Sequence, residues 1–139
     1  MSEKYTCEWY NEEKTIVIVR SLDSNWTWEE ATEAIEAQIS LAETVEHPVH
    51  NIFYFEERPN IQVSGAIRHL EKLMNLRAKN EDLNIFVNIN RMFSSLLNTV
   101  SKIYKLGNFL AKYRFVDTLE EALEEIEQYE AAKNKPKAS

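Results

Sequence analysis

From Thr15 to Tyr129 the chain alternates short apolar, β-rich runs with longer segments whose apolar residues recur at helical spacing. Runs of four to eight such residues suit strands, and a helix set between two strands is the usual crossover of a parallel sheet. The alternation confines the chain to the α/β class.

Tyr5 to Tyr10 and Thr15 to Leu22 flank the polar stretch Asn11-Glu12-Glu13-Lys14, which predicts an antiparallel hairpin. The run Thr15-Ile16-Val17-Ile18-Val19 is continuously apolar and so reads as an interior strand. Thr27 with Glu30 forms a capping box, in which a hydroxyl accepts from the amide three residues on and the carboxylate reaches back to the cap amide. The helix it opens carries Trp28, Ala31, Ile35, Ile39, Ala42 and Val45 inward, with Glu29, Glu33, Glu36 and Gln38 mostly on the other side, and ends at His47-Pro48.

Asn51 to Glu56 is the next strand and Arg58-Pro59-Asn60 its loop; a helix over Ser64 to Lys79 buries Ile67, Leu70, Leu73 and Met74. Leu83 to Ile89 predicts a strand, and Arg91 to Leu106 a helix closed by Gly107 in the left-handed cap position. Tyr113 to Val116 is the last strand. Thr118 and Glu121 then repeat the capping box at the start of a helix over Leu119 to Ala132, with Leu119, Ala122, Leu123, Ile126 and Tyr129 inward and the six glutamates from Glu120 to Glu130 on a solvated face. The expected order is β-β-α-β-α-β-α-β-α, and right-handed crossovers make it a mixed five-stranded sheet with the first strand antiparallel.

At 139 residues one domain is expected, residues 1–132, followed by a flexible tail, residues 133–139. A net charge of −7 repels a phosphate backbone, which argues against nucleic acid as a partner. Cys7 is the single cysteine, so no internal disulfide forms and a reducing compartment fits. Met1 to Glu8 is polar and no apolar run approaches the roughly 20 residues of a membrane span, so the expectation is a cytoplasmic protein without a span.

This layout resembles the STAS fold of the bacterial anti-sigma-factor antagonists along nearly the whole chain. The likeness is carried by Tyr113-Arg114-Phe115-Val116-Asp117-Thr118-Leu119-Glu120-Glu121-Ala122, similar to that family's final strand and helix, and by Gln62-Val63-Ser64-Gly65-Ala66-Ile67 after the third strand. In the antagonists that loop reads Asp-Ser-Ser-Gly, and the serine after the aspartate is phosphorylated. Here Gln62 and Val63 stand at the aspartate and phosphoacceptor positions, so only Ser64 and Gly65 carry over, as helix cap and first turn. The resemblance implies a divergent, SpoIIAA-like regulatory domain without the phospho-switch.

Candidate sites follow from the sheet. Functional groups gather outside the carboxyl ends of parallel strands, which places Asp23, Ser24, Arg58, Asn60, Asn90, Arg91, Asp117 and Thr118 on one polar rim, the two arginines suited to a carboxylate or phosphate on a partner. The bland reading of the rim is capping, pairing and turns. His47 and His50 are pointed apart by extended backbone across Pro48, so no metal site is expected; Cys7 has no base beside it, and neither catalysis nor a cofactor is expected.

Two features exceed what a core needs. The helix over Arg91 to Leu106 has a wide apolar stripe, with Phe93, Leu97 and Tyr104 on one side, and the runs Ile52-Phe53-Tyr54-Phe55 and Ile85-Phe86-Val87 are apolar on both faces. Either helices cover both faces in a three-layer domain, or part of the surface serves another chain or an apolar ligand. The expected function is a non-enzymatic regulatory module that binds a protein partner, with a homodimer through Phe93, Leu97 and Tyr104. The alternative is a carrier or sensor of a small apolar or lipid-like ligand, which an internal cavity would favour.

Overall fold

The computed structural model describes residues 5–25, 27–59, 66–89, 94–96, 98–99, 102 and 112–134. The hairpin forms from β1 (Tyr5–Trp9) and β2 (Ile16–Ser21), paired antiparallel with Cys7 opposite Val19 and Trp9 opposite Val17. Its turn is fastened by Asn11, whose Oδ1 accepts from the amides of Thr15 and Ile16 at 3.0 and 3.2 Å, while Lys14 takes the left-handed conformation at φ 57°.

The helix α1 (Trp28–Ala42) opens with the expected capping box: the Glu30 amide donates to Thr27 Oγ1 at 3.1 Å and the Thr27 amide to Glu30 Oε1 at 2.9 Å. It stops at Ala42, short of His47-Pro48, and in the turn beyond it Asn80 Nδ2 lies 2.9, 3.0 and 2.9 Å from the carbonyl oxygens of Ala42, Val45 and His47, sharing its two protons among them. β3 (Val49–Phe55), α2 (Ala66–Met74), β4 (Glu81–Val87), β5 (Tyr113–Val116) and α3 (Leu119–Asn134) follow. β3 and β4 each begin two residues before their expected starts, which brings Glu81 and Asp82 into the sheet, and α3 runs two residues past its expected end, which brings in Lys133. Between β4 and β5, residues 94–96, 98, 99 and 102 are helical; Phe93, Leu97, Tyr104 and the Gly107 cap lie outside the described residues.

The sheet is mixed and five-stranded, in the order β1-β2-β3-β4-β5, with every pair parallel except β1–β2. Because strands are added in one direction, right-handed crossovers bring their helices to the same face. α1 accordingly lies on β1 and β2 and touches α2. Val17, Ala42, Val49 and Ala78 are buried there, with Trp9, Ile39 and Val45 against them. α3 follows the last strand, is not a crossover, and takes the opposite face, where Ala122 and Ile126 join Ile16, Ile18, Ile52, Leu83, Ile85 and Val87.

This arrangement explains strands apolar on both sides: the register sets Ile18, Ile52 and Ile85 side by side toward α3, and Val19, Phe53 and Phe86 side by side toward α1. Helices of the same chain therefore cover both faces. One expectation for α1 fails. Gln38 is 1% exposed and points at the sheet, not at solvent.

Ile126, 6% exposed in the core beneath α3, is the test of that second layer. Ile126→Ala should lower the free energy of urea unfolding by about 3 kcal/mol; a loss well under ~1 kcal/mol would mean that α3 is not seated on the sheet.

Candidate functional site

Three places on the described fold gather chemistry. The first is an apolar cavity between the sheet and α1, with a volume of about 90 Å³. The sheet contributes Val19, Phe53, Phe55 and Phe86; α1 contributes Ala31, Ala34 and Ile35, and Leu73 of α2 closes a side. The small alanines leave the space, since a helix carrying larger residues there would sit against the phenylalanines. Phe53, Phe86 and Phe115 form a stacked row across three adjacent strands, with ring centroids 5.0 and 5.5 Å apart, and the first two face the cavity. Tyr5, Ser21, Trp28 and Glu30 also line it, toward the carboxyl end of β2 and the start of α1.

The second is a buried amide cluster further along the same face. Asn51, fully buried on β3, donates through Nδ2 to Asn84 Oδ1 at 3.0 Å and to Glu81 Oε1 at 3.3 Å. Because both neighbours are acceptors, the amide is fixed with nitrogen toward them, and Asn51 Oδ1 has no hydrogen-bond partner among the described residues. Gln38 Nε2 is likewise without one. Burial pushes the Glu81 carboxyl up to about 7, against the hydrogen bond with Asn84 and the charges of Arg77 and Lys112. Burial also raises the Tyr113 hydroxyl, and the Glu81 charge adds to it.

The third lies on the opposite face, where α3 docks. His50 Nδ1 accepts from the Leu83 amide at 3.2 Å, so the ring carries its proton on Nε2, which donates to Glu130 Oε1 at 2.6 Å. Asp82 accepts from Tyr129 Oη at 2.5 Å and from Lys133 Nζ. Burial alone would raise the Asp82 carboxyl; the hydrogen bonds from Lys133 and Tyr129 and the Lys133 charge outweigh it and hold it below its ordinary range.

His50, Asp82 and Glu130 offer ligand atoms within 4.8 Å of one another, a spacing that suits a cation. The Lys133 ammonium supplies that positive charge, bonded to Asp82 and 3.7 Å from Glu130, and the Leu83 amide commits the other imidazole nitrogen as an acceptor. A metal on Nε2 would displace both the lysine and the ring proton. The cluster therefore acts as a clasp that fastens α3 to the starts of β3 and β4.

Of the expected rim, Arg58 Nε donates to Asn88 Oδ1 at 3.3 Å, and Asn88, at φ 64°, donates in turn to the Phe55 carbonyl at 2.9 Å. Asp23 accepts from the Asn25 amide and Thr118 caps α3, so these groups are used within the fold. Asn60, Ser64, Asn90 and Arg91 lie outside the described residues, as do Phe93, Leu97 and Tyr104. Burial, with the Glu8 charge, pushes the Cys7 thiol up to about 11, which keeps it protonated and unreactive at neutral pH. His47 bonds the Lys14 carbonyl at 2.7 Å and His69 stacks on Trp28 at 5.1 Å, so neither joins His50. The acidic face of α3 is not wholly solvated, since Glu125 lies 3.7 Å from Arg114 and Glu130 holds His50.

Among the described residues, no helix is long and apolar enough to cross a membrane. No protein-family model, curated protein or solved structure matches the chain.

Glu81 yields a pH prediction with a definite sign. Its folded pKa is raised to about 7, so its contribution is complete below the unfolded value near 4.5 and is lost as pH rises through 7. Across that window the loss is about 3 kcal/mol. Glu81→Gln cannot ionise, so its stability relative to the unsubstituted protein should climb between pH 5 and pH 8 in chemical denaturation. Parallel profiles for the two proteins would mean that the carboxyl is not buried as described.

Proposed function

We propose that the protein is a non-enzymatic, STAS-like binding module that senses a small apolar ligand in the cavity under α1. The observation that carries this reading is the cavity itself: phenylalanines on one wall, alanines on the other, and strand ends of the kind where open α/β sheets bind ligands. Its volume of about 90 Å³ decides between ligand sizes. Sites for drug-sized molecules run to roughly 300–1,000 Å³, and an engineered cavity of about 150 Å³ takes up benzene. The space is smaller than both, so its occupant is a short alkyl group or a ring that reaches partly out of it through the open side, and not a diacyl lipid.

Two opening strands, the mixed five-stranded order and the closing helix support the STAS-like, SpoIIAA-like architecture. The absence of catalysis is supported by the way titratable groups answer one another: Asp82 is engaged by Lys133 and Tyr129, and His50 by Glu130 and the Leu83 amide. A regulatory protein partner is a second reading, favoured by Phe115, which is 39% exposed on the edge strand β5.

Toluene at about ten times its Kd should raise the thermal unfolding midpoint by roughly 3–5 °C. Ala34→Phe, which fills the cavity from α1, should abolish the shift while keeping the far-ultraviolet spectrum. No toluene shift in the unsubstituted protein, or an undiminished shift in Ala34→Phe, would overturn the cavity reading.

A further inference from the structure

Charge is spread unevenly along the chain and over the fold. Residues 58–80 hold five of the 16 Lys and Arg residues but one of the 23 Asp and Glu residues, Glu71, whose carboxylate accepts from Asn75 Nδ2 at 3.3 Å. Residues 117–130 carry seven carboxylates and no cation. The first stretch includes α2 and the loop into β4, and the second includes most of α3. α2 turns Leu70 inward and Leu73 toward the cavity, which leaves Arg68 and Lys72 exposed one turn apart, with Lys79 beyond them and Ile67 38% exposed beside them. α3 turns Ala122 and Ile126 inward and leaves Glu120, Glu124 and Glu127 outside, at spacings of four and three. Among the described residues, Arg68, Lys72 and Lys79 pair with no carboxylate, and Glu120, Glu124 and Glu127 with no cation.

A basic helix on an acidic protein is a surface for an acidic partner. Its surroundings restrict the partner's width. α1 touches α2 and exposes Glu29, Glu33 and Glu36, so a broad anionic surface such as a bilayer would bring its phosphates against those carboxylates too. A partner no wider than a helix meets α2 alone. The chain itself carries an acidic stripe of that width on α3, and Ala131 and Ala132, exposed at its end, offer apolar contact to Ile67.

We propose that α2 docks on α3 of a second copy of this chain, with Arg68, Lys72 and Lys79 set against Glu120, Glu124 and Glu127. The two surfaces lie on opposite faces of the sheet, so a copy that uses one leaves the other open. A contact between unlike surfaces is not closed by a two-fold axis, and copies add head to tail. The net charge of −7 on each copy opposes association, but at roughly 0.15 M ionic strength charges more than about 8 Å apart are largely screened, whereas the docked pairs are closer than that. Exposed ion pairs are individually weak, which sets the assembly at high micromolar concentration and above.

Sedimentation velocity of the full chain at roughly 0.15 M salt should show a weight-average mass that keeps rising past the dimer with concentration and returns to the monomer in about 1 M salt. Arg68→Gln/Lys72→Gln and Glu124→Gln/Glu127→Gln, all at exposed positions, should each sediment as monomers with an unchanged far-ultraviolet spectrum. Their equimolar mixture should form a dimer and stop there, because one variant keeps only its α3 surface and the other only its α2 surface. An unsubstituted protein that stays monomeric at high micromolar concentration, or whose association ends at a dimer, would overturn the head-to-tail contact, and so would association that survives either pair of substitutions. A monomer that instead binds vesicles of phosphatidylcholine and phosphatidylserine through Arg68 and Lys72 would overturn it as well and assign α2 to an anionic membrane. The concentration and salt series on the unsubstituted protein decides the matter even if a variant does not fold.

Discussion

Everything in this fold depends on burying a sheet that is apolar on both sides. Ile18, Ile52 and Ile85 form one continuous apolar surface across β2, β3 and β4, and Val19, Phe53 and Phe86 form another on the reverse. Neither can face water without a large hydrophobic cost. Crossover handedness commits α1 and α2 to one side, and among the described residues the closing helix α3 covers the second. Its docking is held by apolar contacts through Ala122 and Ile126 and by the polar clasp of Asp82, Tyr129 and Lys133 at the far end.

The covering of the two faces is unequal, and that inequality makes the candidate site. Toward α3 the side chains close into a core. Toward α1, alanines at positions 31 and 34 face phenylalanines, and a space remains. Beyond it, Gln38, Asn51, Asn84 and Glu81 put polar groups where an apolar layer would be the cheaper choice. Buried amides and a carboxyl raised to about 7 cost stability.

Much of the fold was legible in the sequence because local signals and tertiary structure agree. The Thr27–Glu30 box forms as read, Thr118 caps α3, and the hairpin, the strand Tyr113 to Val116 and the inward residues of α3 stand where periodicity put them. The candidate site was much less legible. Gln38 was assigned outward on its polarity, although its spacing from Ala34 and Ala42 puts it on their face; residue type and helical phase disagreed, and phase prevailed. Asn51 and Asn84 lie inside apolar runs, a signal open to notice, but their pairing across β3 and β4 depends on register. The clasp joins His50 to Glu130 across 80 positions, and no local pattern specifies such a contact.

The central claim is that the space under α1 is a real, apolar binding cavity. A crystal structure determined under xenon pressure tests it most directly, because xenon enters dry apolar cavities and not wet polar ones. Xenon is expected between Ile35 and the rings of Phe53 and Phe86. A space collapsed onto those rings, or filled by ordered water that xenon does not displace, would contradict the claim.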